Sequence, residues 1–126
     1  MATLAALYRH PLKGFTPEPL SHTDLQAGSW FPGDRLWAVE DGDSGHDPDH
    51  PRHIAKTRFV VLARHAAVAG IRTEWNETDG RLAVAPDNAE PFVIRPDDPE
   101  SRQLFEQCLA RRLGDAVAGP LRMIDA

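Results

Sequence analysis

Cysteine is almost absent from this chain, with Cys108 alone among 126 residues. A single cysteine excludes an intrachain disulfide and any metal site built on paired Cys-x-x-Cys motifs, and it indicates a reducing compartment. A chain of this length hides roughly two-thirds of its unfolded surface on folding, so its core needs no disulfides. We therefore expect one domain over residues 1–126, acting in the cytoplasm as a monomer.

Excess positive charge and long apolar runs are also missing. The 14 Lys and Arg residues are outnumbered by 19 Asp and Glu, for a formal charge of -5. This balance argues against general nucleic-acid binding, which needs a basic face. No segment approaches the roughly 20 apolar residues needed to cross a bilayer. The start of the chain, residues 1–7, has no basic region before its apolar run and is not a secretory signal. We expect neither a nucleic-acid nor a membrane partner.

The sequence motifs of common catalytic sites are lacking too. There is no Ser/His/Asp arrangement, no phosphate-binding P-loop and no GxGxxG. Cys108 lies between Phe105 and Leu109 on the apolar stripe of a predicted helix. That position favours a small buried hydrophobic residue over a nucleophile.

The chain does have many turn-forming residues, with 11 prolines and 9 glycines spread along its length. Such spacing is typical of many turns and short strands. The apolar patterns predict strands at 4–10, 19–26, 34–40, 71–75, 82–85, 92–94 and 121–124. Asp79-Gly80 is the turn of a predicted hairpin. Apolar residues on both faces of 34–40 predict a strand that is covered on both sides.

One amphipathic helix is predicted over residues 99–113. Asp98 is a good N-cap, Pro99 fits the first helical position and Gly114 fits the position after the last turn. The predicted apolar stripe consists of Leu104, Phe105, Cys108, Leu109 and Leu113. The expected fold is therefore mainly β, an antiparallel barrel or curled sheet of several short strands with one C-terminal helix.

Two short blocks each carry a cation where a predicted strand meets a loop. Residues 8–14 read YRHPLKG and residues 33–37 read GDRLW. Lys13 offers a point charge and Arg35 a planar fork, both suited to phosphate or carboxylate, while Gly14 leaves its N–H open to a ligand. The competing interpretation is that Arg35 pairs with a nearby carboxylate and Lys13 is merely solvated.

The two blocks resemble the N-terminal β-barrel domain of the MOSC proteins, which include the molybdenum-cofactor sulfurase C-terminal region and the mitochondrial amidoxime-reducing component. The resemblance runs from about residue 4 to the C-terminus and is strongest over 7–39. It implies that Lys13, Gly14 and Arg35 help to hold the pterin part of the molybdenum cofactor. Gly14 stands where some relatives have Ser, so a hydroxyl contact there is missing.

The resemblance also implies a division of labour. The cysteine that ligates molybdenum in MOSC proteins lies in a second, C-terminal domain, and Cys108 is not its counterpart. This chain stops where that domain would begin, so we expect no catalysis from it alone. It is expected to be a non-catalytic module that binds an anionic ligand such as the pterin phosphate, or docks to a MOSC domain in another protein or in a continuation of the same chain.

Two alternatives remain open. The polar loop at 41–56 carries His46, His50 and His53 with nearby carboxylates, which are ligands for Zn²⁺ or Ni²⁺. Irregular spacing and interrupting prolines favour a solvated loop. The other alternative is a protein-interaction module that binds another protein through the barrel wall or the Trp30-Phe31 loop. Trp37 and Trp75 lie in strand patterns and are expected in the core.

Overall fold

The computed structural model describes residues 2–126, and its regular structure consists mainly of short strands. The strands are β1 (Leu7–Arg9), β2 (Glu18–Leu20), β3 (Trp37–Asp41), β4 (Ile71–Asn76), β5 (Arg81–Pro86), β6 (Phe92–Ile94) and β7 (Leu121–Asp125). One α-helix, α1 (Pro99–Leu113), precedes β7. Short 3₁₀ helices span Lys56–Arg58, Ala66–Gly70 and Gly114–Ala116.

The strands form three small antiparallel sheets, ordered β1-β2, β3-β7 and β4-β5-β6. Single bridges extend the pairing, from Leu12 to Trp37 and from Glu40 to Phe59. Within residues 2–126 the sheets do not close into a barrel. The prediction of a mainly β fold with one C-terminal helix is confirmed, and the curled sheet is the form it takes.

Strand β3 is covered on both faces, as its sequence pattern predicts. All five of its residues are buried. Trp37 and Val39 pack in the larger hydrophobic cluster, whereas Ala38 packs in a second cluster with Phe59 and Val61. The strand therefore lies between two apolar layers, and its ends are rigid points from which loops emerge.

The helix has the predicted bounds and caps but a narrower buried stripe. The Asp98 side chain accepts a hydrogen bond from the Glu100 N–H at 3.2 Å. The residues it buries are Phe105, Leu109 and Leu113. Leu104 is 54% exposed, and Cys108 is only half-buried. The prediction of a buried Cys108 is wrong, because the stripe that contacts the sheet covers fewer positions than the apolar residues occupy. No helix among residues 2–126 is long and apolar enough to span a membrane.

The predicted hairpin forms, with β4 one residue longer at its end and β5 one residue longer at each end than expected. Strands β4 and β5 pair from Ile71 opposite Pro86 to Asn76 opposite Arg81. Gly80 has a φ of 65° and donates its N–H to the Asn76 carbonyl at 2.9 Å. The positive φ is the reason that glycine follows Asp79 in this turn.

The first two predicted strands are too long. β1 stops at Arg9 because the backbone of His10 is bonded elsewhere: its N–H donates to the Asp34 carboxylate at 2.6 Å, and its carbonyl accepts from Arg35 N–H at 2.5 Å. β2 stops at Leu20, and Leu25, within the predicted strand at 19–26, is 69% exposed. Residues 21–36 form no helix or strand, and two of their large apolar side chains, Leu25 and Trp30, are exposed.

Candidate functional site

The corner that carries Lys13 is fixed by buried neighbours. Leu12 is fully buried, and the Lys13 N–H donates to the Trp37 carbonyl at 2.8 Å. The Phe15 N–H donates to the Leu12 carbonyl at 3.2 Å, which closes a tight turn. Because the residues on either side of the turn are held in the core, the backbone position of Lys13 is fixed.

Gly14 is required by its backbone and by its surroundings. Its φ is 74°, in the left-handed region, and a Cβ built on it collides with the Val61 side chain. Its carbonyl accepts from the Leu62 N–H at 2.8 Å. Within residues 2–126 its own N–H makes no backbone hydrogen bond. A serine here would therefore need Val61 to move before its hydroxyl reached a ligand.

Arg35, in the second of the two sequence blocks, has a strained backbone conformation. Its φ of 53° makes it the non-glycine residue with positive φ in residues 2–126. The bend is held by the Arg35 N–H on the His10 carbonyl, and by the Leu36 and Trp37 N–H groups, which both donate to the Pro11 carbonyl at 3.0 and 3.1 Å. This geometry explains why β3 begins at Trp37 and not at the predicted Asp34.

Lys13, Gly14 and Arg35 meet on the wall of one cleft, which we call the cationic cleft. Its volume is about 390 Å³. It is lined by His10, Lys13, Gly14, Phe15, Arg35, Lys56, Val61, Leu62 and Ala63. The two blocks that the sequence singles out are therefore adjacent in space, in a chain that is otherwise acidic.

The cations of this cleft have few internal partners. Arg35 has its Nε 3.6 Å from an Asp34 carboxylate oxygen, and its side chain is 73% exposed. Lys13 holds its Nζ 4.7 Å from the centre of the Phe59 ring, a cation–π contact. Among residues 2–126 neither Lys13 nor Lys56 forms an ion pair. The expected competition from Asp34 is real, but that carboxylate is shared with the His10 N–H.

Sequence reasoning missed Lys56 as a member of this site. The signal was available, because the chain contains only two lysines, Lys13 and Lys56, beside twelve arginines. Both lysines line the same cleft. What the sequence does not show is that the 3₁₀ helix Lys56–Arg58 folds back towards residues 10–14.

A second cation near the start of the chain is fully paired. Arg9 is buried and donates to both Glu18 and Glu77, and to the Trp75 carbonyl at 2.6 Å. Burial alone would lower the pKa of Arg9, but the hydrogen bond and charge of Glu18, reinforced by Glu77, raise it above its ordinary value. Arg9 is thus a structural charge that ties β1 to β2 and to β4.

The histidine-rich loop does not assemble a metal site. Residues 42–55 form neither helix nor strand, while Asp41 ends β3 and Lys56 begins a 3₁₀ helix. His50 pairs with Asp47 at 3.0 Å. In the part of the chain that the structure describes, no three His, Cys, Asp or Glu side chains are grouped to hold a metal ion. The metal-binding alternative therefore gains no support.

Two further candidates lie away from the cationic cleft. Cys108 lines a separate surface groove with Ala67 and Arg111. Trp30 is 94% exposed, whereas Trp37 is buried and meets the half-buried Trp75 edge to face, with ring centroids 4.8 Å apart. The prediction of a core Trp37 is thus confirmed, and Trp75 packs at the margin of the same cluster.

Comparison with known proteins gives one match. No curated protein matches the chain, and no solved structure matches it. A family model, that of the MOSC N-terminal beta barrel domain, matches residues 1–119. This match covers nearly the whole chain, including both blocks that line the cationic cleft, and the chain therefore belongs to the MOSC N-terminal beta barrel domain family.

Proposed function

We propose that this chain is a non-catalytic binding module whose cationic cleft holds an anionic group, the pterin phosphate of the molybdenum cofactor being the candidate that family membership favours. The observation that carries the proposal is the shared cleft of Lys13, Gly14 and Arg35. Point charges and a guanidinium fork beside an open backbone N–H are the groups that proteins use for phosphate.

The residues present fit the phosphate end of such a cofactor. Lys13 would supply a point charge, Arg35 a planar pair of donors, and Gly14 a close approach to the backbone. The molybdenum of the bound cofactor would supply redox chemistry. The chain's only thiol, Cys108, lines a different groove, so the ligand to that metal would come from a MOSC domain.

A MOSC domain is accordingly the partner we propose, either in a separate protein or in a continuation of this chain. A surface cleft of about 390 Å³ leaves part of a large cofactor exposed to water. A second domain docked over the rim would complete the pocket and shield the ligand. In this proposal residues 1–126 act as one module, and the cleft contributes binding and orientation while the partner contributes reactivity.

Titration with a phosphorylated pterin, followed by backbone amide NMR, tests the ligand proposal. We expect the largest shifts at Lys13, Gly14 and Arg35, and their loss in Arg35→Gln. The matched control is Arg58→Gln, which removes the same charge from an exposed residue outside the cleft. Shifts spread over the surface, or equally strong binding by Arg35→Gln, would refute the proposal.

The exposed Trp30 supports a second candidate, an interaction module that binds another protein. A tryptophan side chain at 94% exposure beside Phe31 is the kind of aromatic that anchors protein interfaces. Capture of a purified MOSC-domain protein that is lost in Trp30→Ala but retained in Leu104→Ala would support this role. Equal capture by both variants would exclude it.

A further inference from the structure

Lys56 brings a third cation to the cationic cleft. It is exposed, it lines the cleft beside Lys13 and Arg35, and within the described residues no carboxylate pairs with it. An unpaired lysine on a flat surface is common and carries little meaning. Here the lysine belongs to the concave site that collects both lysines of the chain.

The backbone that carries Lys56 is held in place from the core. The Arg64 guanidinium donates to the Thr57 carbonyl at 2.6 Å and to the Phe59 carbonyl at 3.1 Å. The same guanidinium lies 3.5 Å from the Asp41 carboxylate, whose side chain is buried at the end of β3. These contacts fix the start of the Lys56 side chain relative to β3, although the preceding loop has no regular structure.

The cleft combines this charge with an apolar floor. Phe15 and Val61 are buried, and Leu62 is partly exposed beside them. Of these three cations, Arg35 alone has a carboxylate of the described residues within 4 Å, that of Asp34. Because Coulomb energy scales with the product of the charges, each cation attracts a doubly charged group twice as strongly as a singly charged one at the same distance. Floor and rim together suit a ring that carries a dianionic group.

We propose that Lys56 is a third anion-binding residue and makes the cleft selective for dianionic phosphate esters over singly charged anions. This inference rests on the proposed function of the cleft and deepens it, since it names the charge class of the ligand. Lys56 acts on the ligand directly through its ammonium group, and it lies on a different segment of the chain from Lys13.

A pair of probes with the same ring isolates the effect of charge. Phenyl phosphate carries close to two negative charges at about pH 7.5, above the second pKa of phosphate esters near 6, whereas phenyl sulfate carries one. Amide NMR titrations give the affinity of each probe. We expect wild type to prefer phenyl phosphate. In Lys56→Gln the affinity for phenyl phosphate should fall roughly fivefold and the affinity for phenyl sulfate about twofold. The preference for phenyl phosphate over phenyl sulfate should therefore shrink.

Arg58→Gln is the matched control, because it removes one charge from the same 3₁₀ helix at an exposed residue outside the cleft lining. It should keep the wild-type preference. If wild type shows no shifts at Lys13, Gly14 and Arg35 with either probe, the proposed function and this inference fall together. If wild type binds there but Lys56→Gln keeps the wild-type ratio of affinities, the inference alone is overturned.

The two lysines allow an independent measurement. Reductive methylation with ¹³C-formaldehyde keeps the lysine charge and labels both side chains. Phenyl phosphate should shift the methyl resonances of Lys13 and Lys56 alike, with assignments from the glutamine variants. A shift confined to the Lys13 resonance would overturn the role of Lys56.

Discussion

Arg9 directly precedes His10, the first residue of the chain that lines the cationic cleft, yet the surroundings of positive charge differ between the two. Arg9 is buried, and every strong partner it needs lies within the protein: Glu18, Glu77 and a backbone carbonyl. Lys13 and Arg35 are held at fixed backbone positions but are left largely without carboxylates. A cation paired with carboxylates inside the protein therefore serves the fold, whereas a cation without such partners is available to bind a ligand. The surroundings of the cation decide its role more than whether it is Lys or Arg.

The largest effect on stability is expected for Arg9→Met. Glu18 would remain buried without its counter-ion, which should lower the free energy of unfolding by about 3–5 kcal/mol. Urea denaturation followed by tryptophan fluorescence measures the loss. Arg9→Met combined with Glu18→Gln should recover part of it, because the stranded charge is gone. A loss below about 1 kcal/mol for Arg9→Met would mean that Arg9 is not the structural charge described here.

A smaller effect is expected for Gly14→Ala. The new Cβ must collide with Val61 in a backbone conformation that L-residues avoid, so the free energy of unfolding should fall by about 2–3 kcal/mol. Gly80→Ala is the control, because Gly80 shares the positive φ but has open space around it. It should cost about 1 kcal/mol. Equal losses at the two glycines would show that the contact with Val61 can relax.

Lys13→Gln should mainly weaken ligand binding, whereas Arg9→Met should mainly lower stability. Affinity for a phosphorylated pterin should fall about tenfold, because one charged hydrogen bond to phosphate is lost. Stability should fall by only about 1–2 kcal/mol, the range of a partly buried cation–π contact such as that with the buried Phe59 ring. Calorimetric titration and thermal unfolding of the same sample separate the two. A large stability loss with unchanged affinity would erase the distinction between the two kinds of cation.

The smallest effect concerns a charge outside both regions. The pKa of Asp47 lies below its ordinary value because its carboxylate accepts from the Asp49 N–H at 2.9 Å and pairs with His50. A depressed carboxyl pKa contributes to folding only while the group is ionised, so this contribution disappears as strongly acidic solution protonates Asp47. A ¹³C-carboxyl NMR titration should show the low pKa, and His50→Gln should raise it slightly. Titration of Asp47 in the ordinary range of aspartates would contradict the hydrogen bonds described.

The sequence predicts best those elements whose causes are local. The helix at 99–113 and the hairpin at 71–86 follow from signals within a few residues, such as Asp98 before Pro99 and Gly80 after Asp79. Both form with bounds close to those expected. The two-sided burial of β3 is also readable, because its apolar residues fall on both faces.

Elements that depend on distant partners are not readable in this way. Arg35 adopts a positive φ because His10, far back in the chain, accepts its N–H, and no local pattern indicates that bond. Leu25 and Cys108 look like core residues by spacing alone, yet no element covers them fully. The place of Lys56 in the cleft likewise depends on Arg64 and Asp41, which hold its segment against β3.

Having both lysines at the cationic cleft has a practical consequence for anyone handling the protein. Apart from the terminal amine, every primary amine in the chain lies at the cleft, so coupling to an activated-ester sensor surface or labelling with an amine-reactive dye would obstruct it. Attachment through the half-buried thiol of Cys108, which faces another groove, would leave the cleft open to solvent. An absence of ligand binding by an amine-immobilised sample would therefore reflect the chemistry of attachment.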